Sequence, residues 1–133
     1  MKPDPHSEAR RWLRQAEEDL NDARFVLGGQ RYNLACFLAQ QAAEKALKGL
    51  LYALGAGDVW GHSVAELCRD AASLSADFEP LISQGAVLDK YYIPTRYPDS
   101  LPGGIPSEAF EKRDADRALE LAEQIIRAVK ERV

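Results

Sequence analysis

The sequence predicts an all-α protein: a single-domain, up-and-down helical bundle of about five helices with a long proline-rich loop before the last helix. Three observations carry that prediction. Apolar residues recur at spacings of three and four in every long segment, no segment alternates with the period of two that marks a half-buried strand, and Gly or Pro punctuates the intervals. With 133 residues, 46% of them hydrophobic and 29% charged, the chain has the size and make-up of one globular domain, so residues 1–133 are read as a unit.

The first helix is expected to begin after Asp4, with Pro5 at its first position and Glu8 near the positive helix end. Ala9, Trp12, Leu13, Ala16, Leu20, Ala23 and Leu27 form its apolar stripe, and Gly28-Gly29 ends it. A second helix, from about Arg31 to Leu54, carries two apolar seams. Ala35, Ala39, Ala42, Ala46 and Leu50 make one; Cys36, Ala43, Leu47, Leu51 and Leu54 make the other. A helix apolar over so much of its circumference belongs at the centre of the bundle. Gln40, Gln41, Glu44, Lys45 and Lys48 are its polar strip.

Gly55-Ala56-Gly57 breaks the chain, and Ser63-Val64-Ala65-Glu66 matches the capping box of a third helix through Val64, Leu67, Cys68, Ala71 and Leu74. A fourth helix uses Phe78, Leu81, Ile82, Leu88 and Tyr92, with Pro80 acceptable only in its first turn and Gly85 costing about 1 kcal/mol relative to Ala. Ala115, Ala118, Leu119, Ala122, Ile125, Ile126 and Val129 mark the long final helix. Between these last two, Pro94, Pro98, Pro102 and Pro106 recur every fourth residue and exclude a continuous helix. The Tyr and Ile content of Tyr91-Tyr92-Ile93-Pro94-Thr95-Arg96-Tyr97-Pro98-Asp99 argues that this loop is held in place, and it is the expected seat of function.

Composition narrows the functions available. A net charge of −4 argues against broad nucleic-acid binding through a basic surface, although a local basic cleft is compatible with it. His6 and His62 are the only histidines and no Glu-x-x-His pair exists, which excludes a di-iron carboxylate bundle; no metal or cofactor is called for. Cys36 and Cys68 lie in apolar helical contexts and read as reduced core residues. No apolar run approaches membrane-spanning length and no secretory pattern follows Lys2, so the cytoplasm is the expected compartment.

Each candidate site residue has two readings. Arg96 can grip a phosphate with two parallel hydrogen bonds, or pair with Asp99 to pin the loop. Tyr91, Tyr92 and Tyr97 can stack on a base or pack beneath the loop. Lys45 and Lys48 can attract a phosphate while Gln41 and Glu44 read hydroxyls or ring nitrogens; alternatively, Glu44 pairs with Lys48 one turn on, in a strip facing the loop or a second subunit. His62, just before the third helix, can contact an anion or pack on the first turn and bond to backbone. Trp60, after a glycine-rich turn, is expected to be partly exposed at an interface.

Trp12-Leu13-x-x-Ala16 with Asp19-Leu20, then Ala39-Gln40-Gln41-Ala42-Ala43-Glu44-Lys45-Ala46-Leu47-Lys48, Gly61-His62-Ser63 and the Tyr91–Asp99 run together resemble, in order and over nearly the whole chain, the HEPN (higher eukaryotes and prokaryotes nucleotide-binding) domain. The resemblance implies a helical bundle that dimerises and binds a nucleotide such as ATP or GTP or a partner protein. It also implies an association with nucleotidyltransferase-like proteins as toxin and antitoxin, and a likeness to the terminal domain of sacsin. Many HEPN members are metal-independent ribonucleases that use an Arg followed, after four to six residues, by a His. Arg96 is followed by Tyr97-Pro98-Asp99-Ser100-Leu101-Pro102-Gly103-Gly104 without one, so a ribonuclease would have to recruit His62. Three functions are therefore expected, in this order: a binding module with Gln41, Glu44, Lys45, Lys48, His62, Tyr92, Arg96 and Tyr97 around its groove, a ribonuclease acting on RNA through Arg96 and His62, and a purely structural dimerisation domain.

Overall fold

The computed structural model describes residues 4–133, which form six α-helices and no strand among the described residues. Helix α1 spans Pro5–Gly28 and starts as expected: Asp4 accepts a hydrogen bond from the Ser7 amide at 2.9 Å, and Pro5 occupies the first turn, where a missing N–H costs nothing. Its end is less simple. Gly29 keeps an ordinary φ of −87°, and the left-handed residue that turns the chain is Gln30, at φ 63°. Helix α2, Tyr32–Ala53, ends in a Schellman motif at Gly55, whose φ of 88° lets the Ala56 amide reach the Leu51 carbonyl at 2.9 Å.

The two seams of α2 do place it at the centre, where α1, α3, α4, α5 and α6 all pack against it. Ala35, Ala39, Ala42, Ala43 and Ala46 are fully buried, and Gly49 lets α1 approach so closely that a Cβ there would lie 2.9 Å from both the Ala9 carbonyl oxygen and the Trp12 Cβ. Helix α3 covers Val64–Leu74 behind the Ser63 cap. The expected fourth helix is divided: a 3₁₀ segment, Ala76–Leu81, absorbs Pro80, and helix α4 runs only from Ile82 to Asp89. Tyr92 thus falls in the loop, not on the helix. The tighter 3₁₀ turn accommodates a proline that would remove an i→i−4 bond from an α-helix.

Gly85 has a packing reason that its propensity conceals. A Cβ at this position would lie 2.7 Å from the Ala65 nitrogen and 2.9 Å from the Ala65 Cα and the Val64 carbonyl carbon, all backbone atoms of α3. Gly85→Ala is therefore expected to destabilise by about 1–3 kcal/mol, although Ala is the better helix former. Chemical denaturation measures this directly; a stabilised variant would show that α3 and α4 do not cross so closely.

After the proline loop come a one-turn helix, α5 (Pro106–Ala109), and the last helix, α6 (Lys112–Lys130). Helix α6 lies against α2 and α1, with surface pairs Arg24–Glu123 at 3.0 Å and Lys130–Glu17 at 2.9 Å across the seam. Exposed pairs of this kind add little stability. Cys36 and Cys68 are free and buried, and burial pushes both thiols up to about 12. No helix among the described residues is long and apolar enough to cross a membrane.

Candidate functional site

Phe37, Gln40, Gln41, Glu44 and Lys48 follow helical spacing along one side of α2, and this side faces the loop. Glu44, 4% exposed, is the centre of the group. Its carboxylate accepts from Lys48 Nζ at 3.2 Å, from Gln40 Nε2 at 3.3 Å and from His62 Nδ1 at 3.1 and 3.2 Å. Gln40, fully buried, also donates to the His62 carbonyl at 3.0 Å and accepts from Gln41 Nε2 at 2.7 Å. Buried polar atoms require partners, and here nearly every one has found one within the group.

Asp89, at the end of α4, positions both remaining elements. Its carboxylate accepts from the Ser63 hydroxyl at 2.6 Å and from the backbone amides of Val64 at 2.5 Å and Ala65 at 3.4 Å, capping α3 from a distant part of the chain. Ser63 Oγ in turn accepts from the Glu66 amide at 3.1 Å. With the end of α4 tied to the start of α3, His62, just before the cap, stands beside Tyr92, three residues beyond Asp89. Their rings stack at 4.7 Å with an interplanar angle of 20°.

The loop itself is anchored by Thr95, 1% exposed, whose hydroxyl donates to the Tyr91 carbonyl at 2.6 Å and whose own carbonyl accepts from Asn33 Nδ2 at 3.1 Å. Tyr91 is buried edge-on against Phe110, and burial, aided by Cys36 and Asp114, raises its pKa above the usual tyrosine value. Thr95→Val, which keeps the shape but leaves the Tyr91 carbonyl without this donor, is expected to cost about 1–3 kcal/mol. Hydrogen exchange across residues 91–97 should rise with it.

This anchoring places Arg96 on an aromatic platform. Its guanidinium carbon lies 4.3 Å from the Phe37 centroid, 4.9 Å from Tyr92 and 5.1 Å from Tyr97, and its Nε donates to the Tyr92 carbonyl at 3.0 Å. No carboxylate pairs with it among the described residues; Asp99, the partner considered from sequence, sits in the exposed turn Pro98–Ser100. Phe37 and Tyr92 continue the stack at 6.4 Å. Cation–π contact and the Nε bond hold the guanidinium while leaving its two terminal nitrogens without a hydrogen bond among the described residues.

Of the residues singled out in sequence, Gln41, Glu44, Lys48, His62, Tyr92, Arg96 and Tyr97 come together. Lys45 does not. Its Nζ pairs with Asp19 of α1 at 2.6 Å, and Asp19 also accepts from Gln15 at 2.9 Å, so Lys45 lines a shallow groove with Arg11, Trp12 and Arg14 instead. One helical position is enough to turn a side chain from one neighbour to the next. Lys48, only 9% exposed, sits behind Glu44 as its counter-ion. The His62 ring bonds to the Glu44 carboxylate. The residues missed were Phe37, Thr95 and Asp89. Phe37 lies one turn before Gln40 and Gln41, and its place on the polar strip was the available signal; Asp89 gave none, because its partners lie 24 to 26 residues away.

Comparison with known proteins agrees with this architecture. The fold matches the crystal structure of TT1696 from Thermus thermophilus with a TM-score of 0.86 and 46% identity, covering 95% of this chain and 98% of that one. The protein named "Putative toxin MJ1304" of Methanocaldococcus jannaschii is 27% identical over 132 residues, 92% of this chain and 86% of its own length. Human sacsin is 32% identical over 123 residues, 90% of this chain but only 3% of sacsin, so the likeness concerns one small part of that protein. The HEPN domain model matches residues 9–132, and the chain belongs to the HEPN domain family.

Proposed function

We propose that this chain is a cytoplasmic, homodimeric binding module that receives a nucleotide phosphate at the Arg96 stack and pairs with a nucleotidyltransferase-like protein. One observation carries the reading: Arg96 is exposed, its guanidinium carbon lies 4.3–5.1 Å from three ring centroids, and both terminal nitrogens are free of any carboxylate among the described residues. Such a guanidinium offers a planar, two-point grip for a phosphate. Tyr97, half exposed, and the outer face of His62 offer surfaces on which a base can stack. A ligand of the native state raises the melting temperature, by several degrees when present at about 100 times its Kd. ATP, GTP and their diphosphates are thus expected to stabilise the protein; a flat response to all four would remove nucleotide binding.

A second reading, metal-independent RNA cleavage, is favoured by the Glu44–His62 contact, since a buried carboxylate orienting an imidazole is the arrangement a general base needs. The likeness to Putative toxin MJ1304 supports a toxin role for such an activity. Incubation with single-stranded RNA in EDTA tests it: cleavage lost in both Arg96→Ala and His62→Ala supports it, and intact RNA excludes it.

A further inference from the structure

Glu44 determines what His62 presents to a ligand. A carboxylate accepts and does not donate, so in the 3.1 Å contact with Glu44 the proton belongs to His62 Nδ1. In the neutral imidazole Nε2 then carries a lone pair. Nε2 makes no hydrogen bond among the described residues, and the His62 side chain is 55% exposed. Both the ring and the Arg96 guanidinium lie within about 5 Å of the centre of the same Tyr92 ring, placing the imidazole centre less than about 10 Å from the guanidinium carbon. That is a span one nucleotide can bridge.

We infer that His62, held by Glu44, accepts a hydrogen bond from a ribose hydroxyl of a nucleotide whose phosphate Arg96 grips, so that the site prefers ribonucleotides to nucleotides lacking that hydroxyl. The inference rests on the phosphate-binding reading above and adds a specificity to it. Three neighbouring side chains already spend their donors within the cluster. Gln40 is committed to Glu44 and the His62 carbonyl, Gln41 to Gln40, and Lys48 to Glu44. His62 Nε2 has no donor among the described residues, and a bare acceptor selects for a ligand O–H.

Calorimetric titration with ATP, 2′-deoxy-ATP and 3′-deoxy-ATP at one salt concentration tests it, the two deoxy forms distinguishing which hydroxyl is read. ATP is expected to bind about three- to tenfold tighter than at least one of them, the worth of a neutral hydrogen bond. His62→Phe, which keeps a ring on Tyr92 and removes Nε2, should bring that ratio towards one. A long-range ¹H–¹⁵N spectrum should show neutral His62 protonated at Nδ1. Equal affinity for the three nucleotides, a ratio unchanged in His62→Phe, or a ring protonated at Nε2 would each overturn the ribose reading while leaving phosphate binding intact. No binding of any of the three would overturn both.

Discussion

Arg96→Ala is expected to abolish the nucleotide-dependent rise in melting temperature while lowering the stability of the free protein by only about 1–2 kcal/mol. The two effects separate because Arg96 does different things in the two states. In the free protein it contributes a partly exposed cation–π contact and one bond to the Tyr92 carbonyl, together worth about 1–2 kcal/mol. With a phosphate present it supplies hydrogen bonds between charged groups, each worth about 1.5–3 kcal/mol, so affinity should fall roughly ten- to 150-fold or more. Arg96→Lys keeps the charge but loses the planar two-point grip, and its affinity should lie between those of the wild type and the alanine variant. If alanine and wild type respond equally to nucleotide, the phosphate is held elsewhere.

The largest effect on stability is expected from Glu44→Ala. It leaves Lys48 charged at 9% exposure and removes the acceptor used by Gln40 Nε2 and His62 Nδ1. Breaking a buried pair from one side costs about 3–5 kcal/mol, because the remaining charge is uncompensated. Replacing both partners, Glu44→Leu with Lys48→Met, should recover most of that loss, since an apolar pair of similar volume carries no unmet charge. The double variant should nevertheless lose the fixed orientation of His62. Urea denaturation at a fixed protein concentration measures both variants, and a double variant as unstable as the single one would show that the cost lies in packing and not in the orphaned lysine.

Much of the bundle was legible because its signals are local. Asp4 with Pro5, and Ser63 with Glu66, cap helices within one turn of themselves, and the stripe from Ala115 to Val129 needs only its own period to be recognised. The centrality of α2 was likewise written in its two seams. What escaped depended on residues far apart in the chain. Pro80 was readable as a problem for a helix, but its solution, a 3₁₀ segment before a shortened α4, depends on how that segment packs on α3. Gly85 read as a weakness in a helix and is instead where two backbones meet.

The site followed the same division. Glu44 with Lys48 is an i, i+4 pair and was visible, and the proline-rich loop was recognisable as an ordered element carrying Arg96. That Lys45 turns to Asp19, that Asp89 brings His62 to Tyr92, and that Phe37 lies under the guanidinium are outcomes of tertiary packing. The polar strip could have suggested Phe37, since it shares a face with Gln40 and Glu44. No spacing rule could have supplied Asp89.

The most direct test is a side-chain NMR titration of the intact protein with GTP. Binding at the Arg96 stack predicts that the largest shifts fall on Phe37, His62, Tyr92, Arg96 and Tyr97, with Arg11, Trp12 and Arg14 of the α1 groove unmoved. Shifts confined to the α1 groove, or none at saturating GTP, would contradict it.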